Sequence, residues 1–262
     1  MASLIAHYFF CERLLPTLPD KAQEIIAAYP DHYAIGSQGP DIFFYHVTSK
    51  TRSVGEAIHE KPLADFLNKN KDWIEQGPRM SPTWAYFFGF LAHFSLDLSV
   101  HPYIDRIEQI LSLDHMTIER DFDRVILEEE GYDPTAFLSR SILPAPADVS
   151  SGIVPAYTPY RGVNAHEIHR ALASFRIGQQ LFHVDSKKTY ALKHRLLDKL
   201  GMGEAFGGML LNPDGYPESI YTTNPVMKEL MTLAYPIAYR AVATFTENRD
   251  YPAFFQFNFN GR

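Results

Sequence analysis

The stretch Trp84-Ala-Tyr-Phe-Phe-Gly-Phe-Leu-Ala-His93-Phe-Ser-Leu-Asp97-Leu-Ser-Val-His101 decides the fold of this chain. Its first nine residues are almost wholly apolar, with no polar face. A helix that is apolar all round is a buried helix, so the stretch predicts a central helix from about residue 83 to residue 101. The polar residues at its end need partners there, because an unpartnered buried carboxylate such as Asp97 is costly.

Helical patterning dominates the rest of the chain, so we predict an all-α fold, a multi-helix bundle with long irregular loops. The predicted helices cover about residues 4–15, 21–29, 59–76, 83–101, 115–130, 164–183, 186–200 and 223–246. Pro102 and the residues up to 113 predict a connection or a short helix, and residues 33–41 a loop. The only β-like runs are residues 157–160 and the aromatic tail at 254–259.

Residues 142–163 are rich in Pro, Ser and Gly, and predict a long irregular loop. That loop would join a half at about 1–140 to a helical half at about 164–262. No repeat is visible, so we expect one α-helical domain spanning residues 1–262.

Three histidines and two carboxylates lie in and after the central helix. His93 and Asp97 are four residues apart, and His115 and Glu119 repeat that spacing. A step of four returns to the same face of a helix, as in the H-E-x-x-H motif. Imidazole nitrogens with carboxylate oxygens suit zinc, and also iron or manganese. The alternative is that these residues are core histidines with hydrogen-bond partners. It explains a single His/carboxylate pair well, but it explains two such pairs together with His101 poorly.

Helix geometry divides these residues between two ions. At 1.5 Å per residue, the backbones of His93 and His101 lie roughly 12 Å apart along the axis. We therefore predict one metal at His93 and a neighbouring metal at His101, with Asp97 as the bridge. His115 and Glu119 would complete the ligand set of the second metal. Two-metal hydrolytic sites hold their ions about 3.5–4 Å apart, a distance that a bridging carboxylate suits.

Composition limits the classes of function. The chain has 24 basic and 31 acidic residues and a net charge of −7 without a basic stripe, which disfavours a stable nucleic-acid partner. Cys11 is the only cysteine, so neither an intrachain disulfide nor a thiolate zinc site is expected. The first residues lack the pattern of a secretory signal and no run predicts a transmembrane span, so we expect a cytoplasmic protein. No amphipathic basic helix is recognised, so membrane docking is not expected.

The order of the polar residues resembles the zinc-dependent phospholipase C family, whose fold relatives include single-strand nucleases. That order is an early His, a Gly-Pro-Asp loop, a His, a His-x3-Asp pair, a further His, and a His-x3-Glu pair. The matching residues are His7, Gly39-Pro40-Asp41, His59, His93 with Asp97, His101, and His115 with Glu119. The resemblance covers about residues 4–120.

The resemblance implies a trinuclear zinc site. The first metal would be bound by Asp41, His59, His93 and Asp97. The second would be bound by His101, His115 and Glu119. The third would be bound by His7, Asp97 and the amino terminus of a mature chain that begins with Trp. In that scheme Asp97 joins the first and third metals, whereas helix geometry alone joins the first and second. Residue 1 here is Met, so we expect two zinc ions and leave the third open. His46 is the alternative to His59, which we prefer because it is predicted at the start of a helix.

We therefore expect a metal-dependent hydrolase of phosphate esters in which Asp41 or Glu119 accepts a proton from the attacking water. The substrate would be a small phosphate ester or a phospholipid, and the oligomeric state is open. A non-catalytic metal-binding or scaffold protein, and a single-strand nuclease or nucleotidase, are the alternatives. The aromatic residues at 43–45, 87 and 88 fit a lipid pocket, a base-stacking site or, most commonly, a core. His166, His169 and His183 form a weaker metal candidate, because charged neighbours indicate a solvated face.

Overall fold

The computed structural model describes residues 3–45, 51–111 and 113–262. Within these ranges the chain forms thirteen α-helices and no β-strand, which confirms the predicted all-α fold. The helices are α1 Leu4–Leu14, α2 Asp20–Ala28, α3 Pro30–Gly36, α4 Arg52–Glu60, α5 Leu63–Lys69, α6 Lys71–Gln76, α7 Pro82–Ile107, α8 His115–Glu129, α9 Pro146–Tyr157, α10 Ala165–Phe182, α11 Lys187–Lys199, α12 Gly203–Phe206 and α13 Asn224–Thr246.

Helix α7 is the axis of the fold, and it packs against α1, α2, α3, α9 and α13. Every residue from Thr83 to Asp97 is buried, as the apolar sequence predicts. Gly36 of α3 and Gly89 of α7 allow the two helices to cross closely, because a Cβ on Gly89 would lie only 2.4 Å from the carbonyl oxygen of Tyr33. The turn that follows α3 is therefore pressed against the middle of α7.

Helix α7 continues past its predicted end. Pro102 lies inside the helix, which runs on to Ile107. Proline cannot donate the hydrogen bond that its position requires, and it normally breaks a helix. Burial of Val100, His101 and Ile104 on the inner face, with Pro102 on the exposed side, keeps this last part helical. The predicted connection at residue 102 is therefore wrong.

The predicted irregular loop at 142–163 is also wrong, because it contains helix α9. Pro146 occupies the first turn of α9, where a missing N–H costs nothing. The helix buries Val149, Ile153, Ala156 and Tyr157 at helical spacing, and the Tyr157 hydroxyl lies 2.5 Å from that of Tyr86 on α7. Core packing thus outweighs the low helix propensity of the segment.

The segments before α7 and at the carboxyl end also differ from the prediction. The single helix predicted at 59–76 is three helices, α4 to α6, interrupted at Pro62 and Asn70, and His59 lies in the last turn of α4. The predicted loop at 33–41 contains the end of α3 and a 3-10 helix, Gly39–Phe43. Neither β-like run is a strand, because residues 158–160 form a turn after α9 and residues 254–256 lie in the 3-10 helix Ala253–Gln256.

One buried apolar cluster includes residues from both predicted halves of the chain. On α7, the Trp84 ring lies 6.0 Å from that of Phe245 on α13, and Phe90 lies 5.8 Å from Phe259 in the carboxyl-terminal tail. This shared core supports the prediction of one domain. Among the described residues no helix has the length and apolar character to cross a membrane.

Candidate metal centre

The eight residues predicted to bind metal come from five elements and lie together in the structure. They are His7 on α1, Asp41 in the 3-10 helix, His59 on α4, His93, Asp97 and His101 on α7, and His115 and Glu119 on α8. All are buried except His115, which is half-buried. Three groups within this set bring their ligand atoms within 4.8 Å of one another: His7/His93/Asp97, Asp41/His59/His93 and His101/His115/Glu119.

Asp41, His59, His93 and Asp97 form one end of the centre. The Nε2 atom of His59 lies 3.0 Å from Oδ1 of Asp41 and 3.8 Å from Oδ2 of Asp97. The Nε2 atom of His93 lies 3.1 Å from that same Asp97 oxygen and 4.0 Å from Oδ1 of Asp41. These four side chains are the set that the resemblance implies for the first metal.

His101, His115 and Glu119 form the other end. The Nε2 atoms of both histidines lie 3.4 Å from Oε1 of Glu119. His115 and Glu119 share a face of α8 because α8 begins at His115, where Asp114 caps the helix by accepting a hydrogen bond from the backbone N–H of Thr117. This N-cap fixes the start of α8, and both ligand side chains point toward α7.

Asp97 lies between the two ends and faces four imidazole rings. Its Oδ2 faces His59 and His93, whereas its Oδ1 lies 3.1 Å from Nε2 of His7 and 3.3 Å from Nε2 of His101. The His7 ring stacks on that of His93, with 4.1 Å between ring centroids. One carboxylate is thus within reach of all three groups, and both proposed bridging roles of Asp97 fit this position.

Backbone carbonyls fix the protonation of two of the rings. The Nδ1 atom of His59 lies 2.9 Å from the carbonyl oxygen of Gly55, and that of His93 lies 3.0 Å from the carbonyl oxygen of Ser37. A carbonyl only accepts hydrogen bonds, so each Nδ1 must carry the proton. Each Nε2 therefore directs a lone pair into the centre unless the ring is charged, which is the usual orientation of a metal-binding histidine.

The inward-facing atoms lack other partners. Among the described residues, none forms a well-directed hydrogen bond with Oδ1 of Asp41, Nε2 of His59 and His93, Oδ1 of Asp97, or Nε2 of His101. Buried polar atoms without partners are rare in folded proteins. A cation between these nitrogens and oxygens would satisfy all of them, and a set of imidazoles with carboxylates fits zinc.

The carboxylates are held in their charged form. Burial alone raises the pKa of Asp97, but the rings of His101, His93 and His7 outweigh it and hold that pKa well below its ordinary value. Burial opposes ionisation of Glu119 in the same way, and His115 and His101 likewise hold its pKa well below the ordinary range. For His101, burial lowers the pKa, but Asp97 and Glu119 reverse the effect and raise it to about 9.

Several contributors to the centre were not found from the sequence. Besides the carbonyls of Ser37 and Gly55, the side-chain oxygen of Asn260 lies 3.0 Å from Nδ1 of His101. The Phe259 ring packs against His59, with 4.6 Å between ring centroids. The carboxyl-terminal tail therefore covers the site, although only its aromatic character was visible in the sequence.

Other candidates lie elsewhere. His166, His169 and His183 belong to none of the metal-competent groups in the described part of the chain. His46, the alternative to His59, lies outside the described residues. Phe43, Phe87 and Phe88 are fully buried core residues, as the commonest interpretation of such aromatic runs predicted.

An apolar cavity of about 510 Å³ lies beside the centre. Met116, which follows the candidate ligand His115, lines it, and so does Phe44, whose ring centroid lies 5.2 Å from that of His59. Its other walls include Tyr45, Ile177, Leu181, Phe182, Phe206 and Met209. A mostly apolar cavity next to a cluster of charged groups is the usual form of a small-molecule site.

The sequence matches the family model described as zinc dependent phospholipase C over residues 6–170. That span contains every candidate ligand of the centre. No curated protein and no solved structure matches the chain.

Proposed function

The chain belongs to the zinc-dependent phospholipase C family, and on that basis we propose that it hydrolyses phosphate diesters, with phospholipids as the preferred class. The observation that carries the proposal is the orientation of the rings of His59 and His93. Backbone carbonyls hold their Nδ1 protons, and their Nε2 atoms converge with carboxylate oxygens 3.0–3.1 Å away. A buried arrangement of this kind is typical of a metal centre.

We assign the ligands as the resemblance and the geometry together suggest. One zinc ion would be held by Asp41, His59, His93 and Asp97, and a second by His101, His115 and Glu119. His7 would join Asp97 at a third ion, because its Nε2 lies 3.1 Å from the Asp97 carboxylate. Two ions are the minimum that this set of eight side chains supports.

Bound zinc supplies a Lewis acid that lowers the pKa of water toward neutrality and offsets the charge of a phosphate group. The remaining work falls to the chain's own carboxylates. Although burial opposes ionisation of Asp41, His59 and His93 lower the pKa of Asp41, and that of Glu119 is also lowered, so both are anionic at neutral pH. Each is therefore able to accept a proton from water, and we propose them as the candidate bases.

The cavity beside the centre favours a lipid among phosphate esters. Its walls are largely apolar, and Phe44 and Met116 join it to the candidate ligands. An acyl or glyceride portion gains about 25 cal/mol for each Å² of apolar surface buried there. A polynucleotide would instead require basic groups along a groove, and the net charge of −7 disfavours that partner.

The test is hydrolysis by the purified protein of phosphatidylcholine, of bis(4-nitrophenyl) phosphate and of single-stranded DNA, before and after chelation. We expect cleavage of phosphatidylcholine to diacylglycerol and phosphocholine, its loss on chelation and its return with zinc. The variant His93→Gln should lose zinc and activity, whereas His169→Gln, outside the centre, should lose neither.

Two results contradict the proposal. Release of nucleotides from DNA with phosphatidylcholine untouched would assign the chain to the nuclease class. Full zinc content with no hydrolysis across the panel would assign it to the non-catalytic metal-binding class.

A further inference from the structure

Helix α11 presents an apolar stripe to solvent. It contributes no fully buried side chain to the fold. Leu192, Leu196 and the following Leu200 are spaced by four residues, and so share one face. They are 69%, 54% and 62% exposed. Single exposed leucines are ordinary, but a stripe of three on one helix marks an interaction surface.

Basic side chains border this stripe. Lys188 lies four residues before Leu192, Arg195 three residues after it, and Lys199 three residues after Leu196, so each neighbours a leucine on the helix surface. All three are exposed, and none forms an ion pair with any residue that the structure describes. The thirteen residues of α11 include five basic and one acidic, in a chain whose net charge is −7.

Polar contacts of Lys193 and Ser186 fix the position of α11 against the end of α10. The Nζ atom of Lys193 donates to the carbonyl oxygens of Leu181 and His183, at 2.7 and 2.6 Å, at the end of α10. Ser186 caps the helix by accepting from the backbone N–H of Thr189 at 3.2 Å. These contacts hold Lys193 against the end of α10, whereas the three leucines stay exposed.

Helix α11 contacts the end of α10, which lines the apolar cavity of the metal centre. Leu181, whose carbonyl oxygen binds Lys193, lines that cavity together with Ile177, and both side chains are more than half exposed. Phe206 of α12 also lines it and stacks on Phe182 of α10, with 6.0 Å between ring centroids. Exposed apolar residues therefore lie both on α11 and on the rim of the cavity.

We propose that α11 docks the protein on an anionic phospholipid surface, with its leucines in the acyl boundary and Lys188, Arg195 and Lys199 among the headgroups. An apolar face bordered by lysine and arginine is the pattern of a helix that lies in a membrane interface. A second copy of the chain fits less well, because a two-fold contact between the stripes would bring the basic borders of both copies together. Docking depends on charge and apolar area, and stands apart from the proposed hydrolysis.

This assignment corrects the expectation that the chain has no amphipathic basic helix. In the sequence, the leucines of α11 are indistinguishable from those that turn toward a core. Only the structure shows that the face of Leu192, Leu196 and Leu200 is not covered by the described residues.

The test is binding of the full-length protein to vesicles of phosphatidylcholine alone and of phosphatidylcholine mixed with phosphatidylserine, measured by flotation. We expect binding to the mixed vesicles that weakens with added salt. The triple variant Lys188→Gln, Arg195→Gln, Lys199→Gln should bind them on the order of one hundredfold more weakly, because each basic residue near an anionic surface contributes about a factor of five. The double variant Leu192→Ser, Leu196→Ser should lose at least about tenfold.

The matched control is Leu233→Ser on α13, whose leucine is 62% exposed and far along the chain from the stripe. It should bind as the wild type does. All variants should hydrolyse bis(4-nitrophenyl) phosphate at the wild-type rate, which separates docking from the chemistry of the centre.

Three outcomes would overturn the proposal. The first is equal binding to vesicles with and without phosphatidylserine. The second is an unchanged affinity of the variant Leu192→Ser, Leu196→Ser for the mixed vesicles. The third is a wild-type protein that binds no vesicles but self-associates, and that the same double variant converts to a monomer. Hydrolysis without docking would contradict the docking proposal alone. Docking without hydrolysis would contradict the proposed function alone.

Discussion

Replacing Gly39 by alanine would push directly on the ring of His93. A Cβ built on Gly39 lies 2.4 Å from Cδ2 and 2.9 Å from Nε2 of His93. Carbon atoms in contact normally lie about 3.5–4.0 Å apart, so the ring or the turn must move by about 1 Å. Displacements of about 1 Å in a catalytic arrangement cost about a hundredfold in rate. We therefore expect Gly39→Ala to lower zinc affinity and hydrolysis by about two orders of magnitude.

The same substitution also strains the backbone, because Gly39 has a φ of +48°. An alanine in that region costs about 1–2 kcal/mol. Gly131, at the end of α8, has a φ of +80°, and no described atom lies within 4 Å of a Cβ built on it. Gly131→Ala therefore carries the backbone cost without the contact to His93, and serves as the matched control.

The assay is zinc per chain after dialysis, together with thermal unfolding and the rate of phosphodiester hydrolysis. Gly131→Ala should unfold at a temperature lower by about 2–8 °C, and Gly39→Ala at a still lower one, because it also loses the stabilisation by bound metal. Only Gly39→Ala should lose zinc and activity. Equal zinc content and equal rates in the two variants would refute the claim that the turn at Gly39 holds His93 in place.

Three further predictions concern charge and metal. Asp97→Asn removes a carboxylate that faces four imidazoles and should abolish zinc retention and hydrolysis together; full zinc content with undiminished turnover would exclude its bridging role. Burial raises the pKa of Asp123 to about 6 despite its contact with Arg120, so the native protein binds more protons than the unfolded chain between about pH 4 and 6. The raised pKa of Asp123 therefore contributes about 3 kcal/mol to the free energy of unfolding below pH 4, and this contribution is lost as the pH rises through 6. Urea unfolding of Asp123→Asn should show no such decline. If the free energy of unfolding depended on pH equally in the variant and the wild type, this prediction would be contradicted. Chelation should lower the unfolding temperature, because a metal present at one hundred times its Kd stabilises the native state by about 2.7 kcal/mol; an unchanged temperature would indicate that these side chains hold no ion.

The central helix and the spacing of the candidate ligands could be predicted because both are local properties. A step of four puts His93 and Asp97 on one face of any helix, and the fully apolar stretch before them demands burial. The residues of the centre that escaped prediction have two physical explanations. Ser37 and Gly55 act through backbone carbonyls, which leave no trace in residue type, and Asn260 approaches from the other end of the chain.

The errors at residue 102 and at residues 142–163 share one physical cause. Proline lowers helix propensity, yet Pro102 lies inside α7 and Pro155 inside α9, because burial of neighbouring apolar residues outweighs the local cost. Helix α11 is the opposite case, because its leucines have helical spacing but do not pack against the core. Sequence periodicity finds the apolar face of a helix, whereas only tertiary structure shows what that face contacts.

The most direct test of the metal centre is a zinc titration of the chelator-treated protein, followed by hydrolysis of phosphatidylcholine. The ligand arrangement around Asp97 predicts no hydrolysis without metal and full activity only after at least two equivalents of zinc per chain. Full hydrolysis by the metal-free protein, or no hydrolysis once zinc uptake is saturated at two or more equivalents, would contradict it.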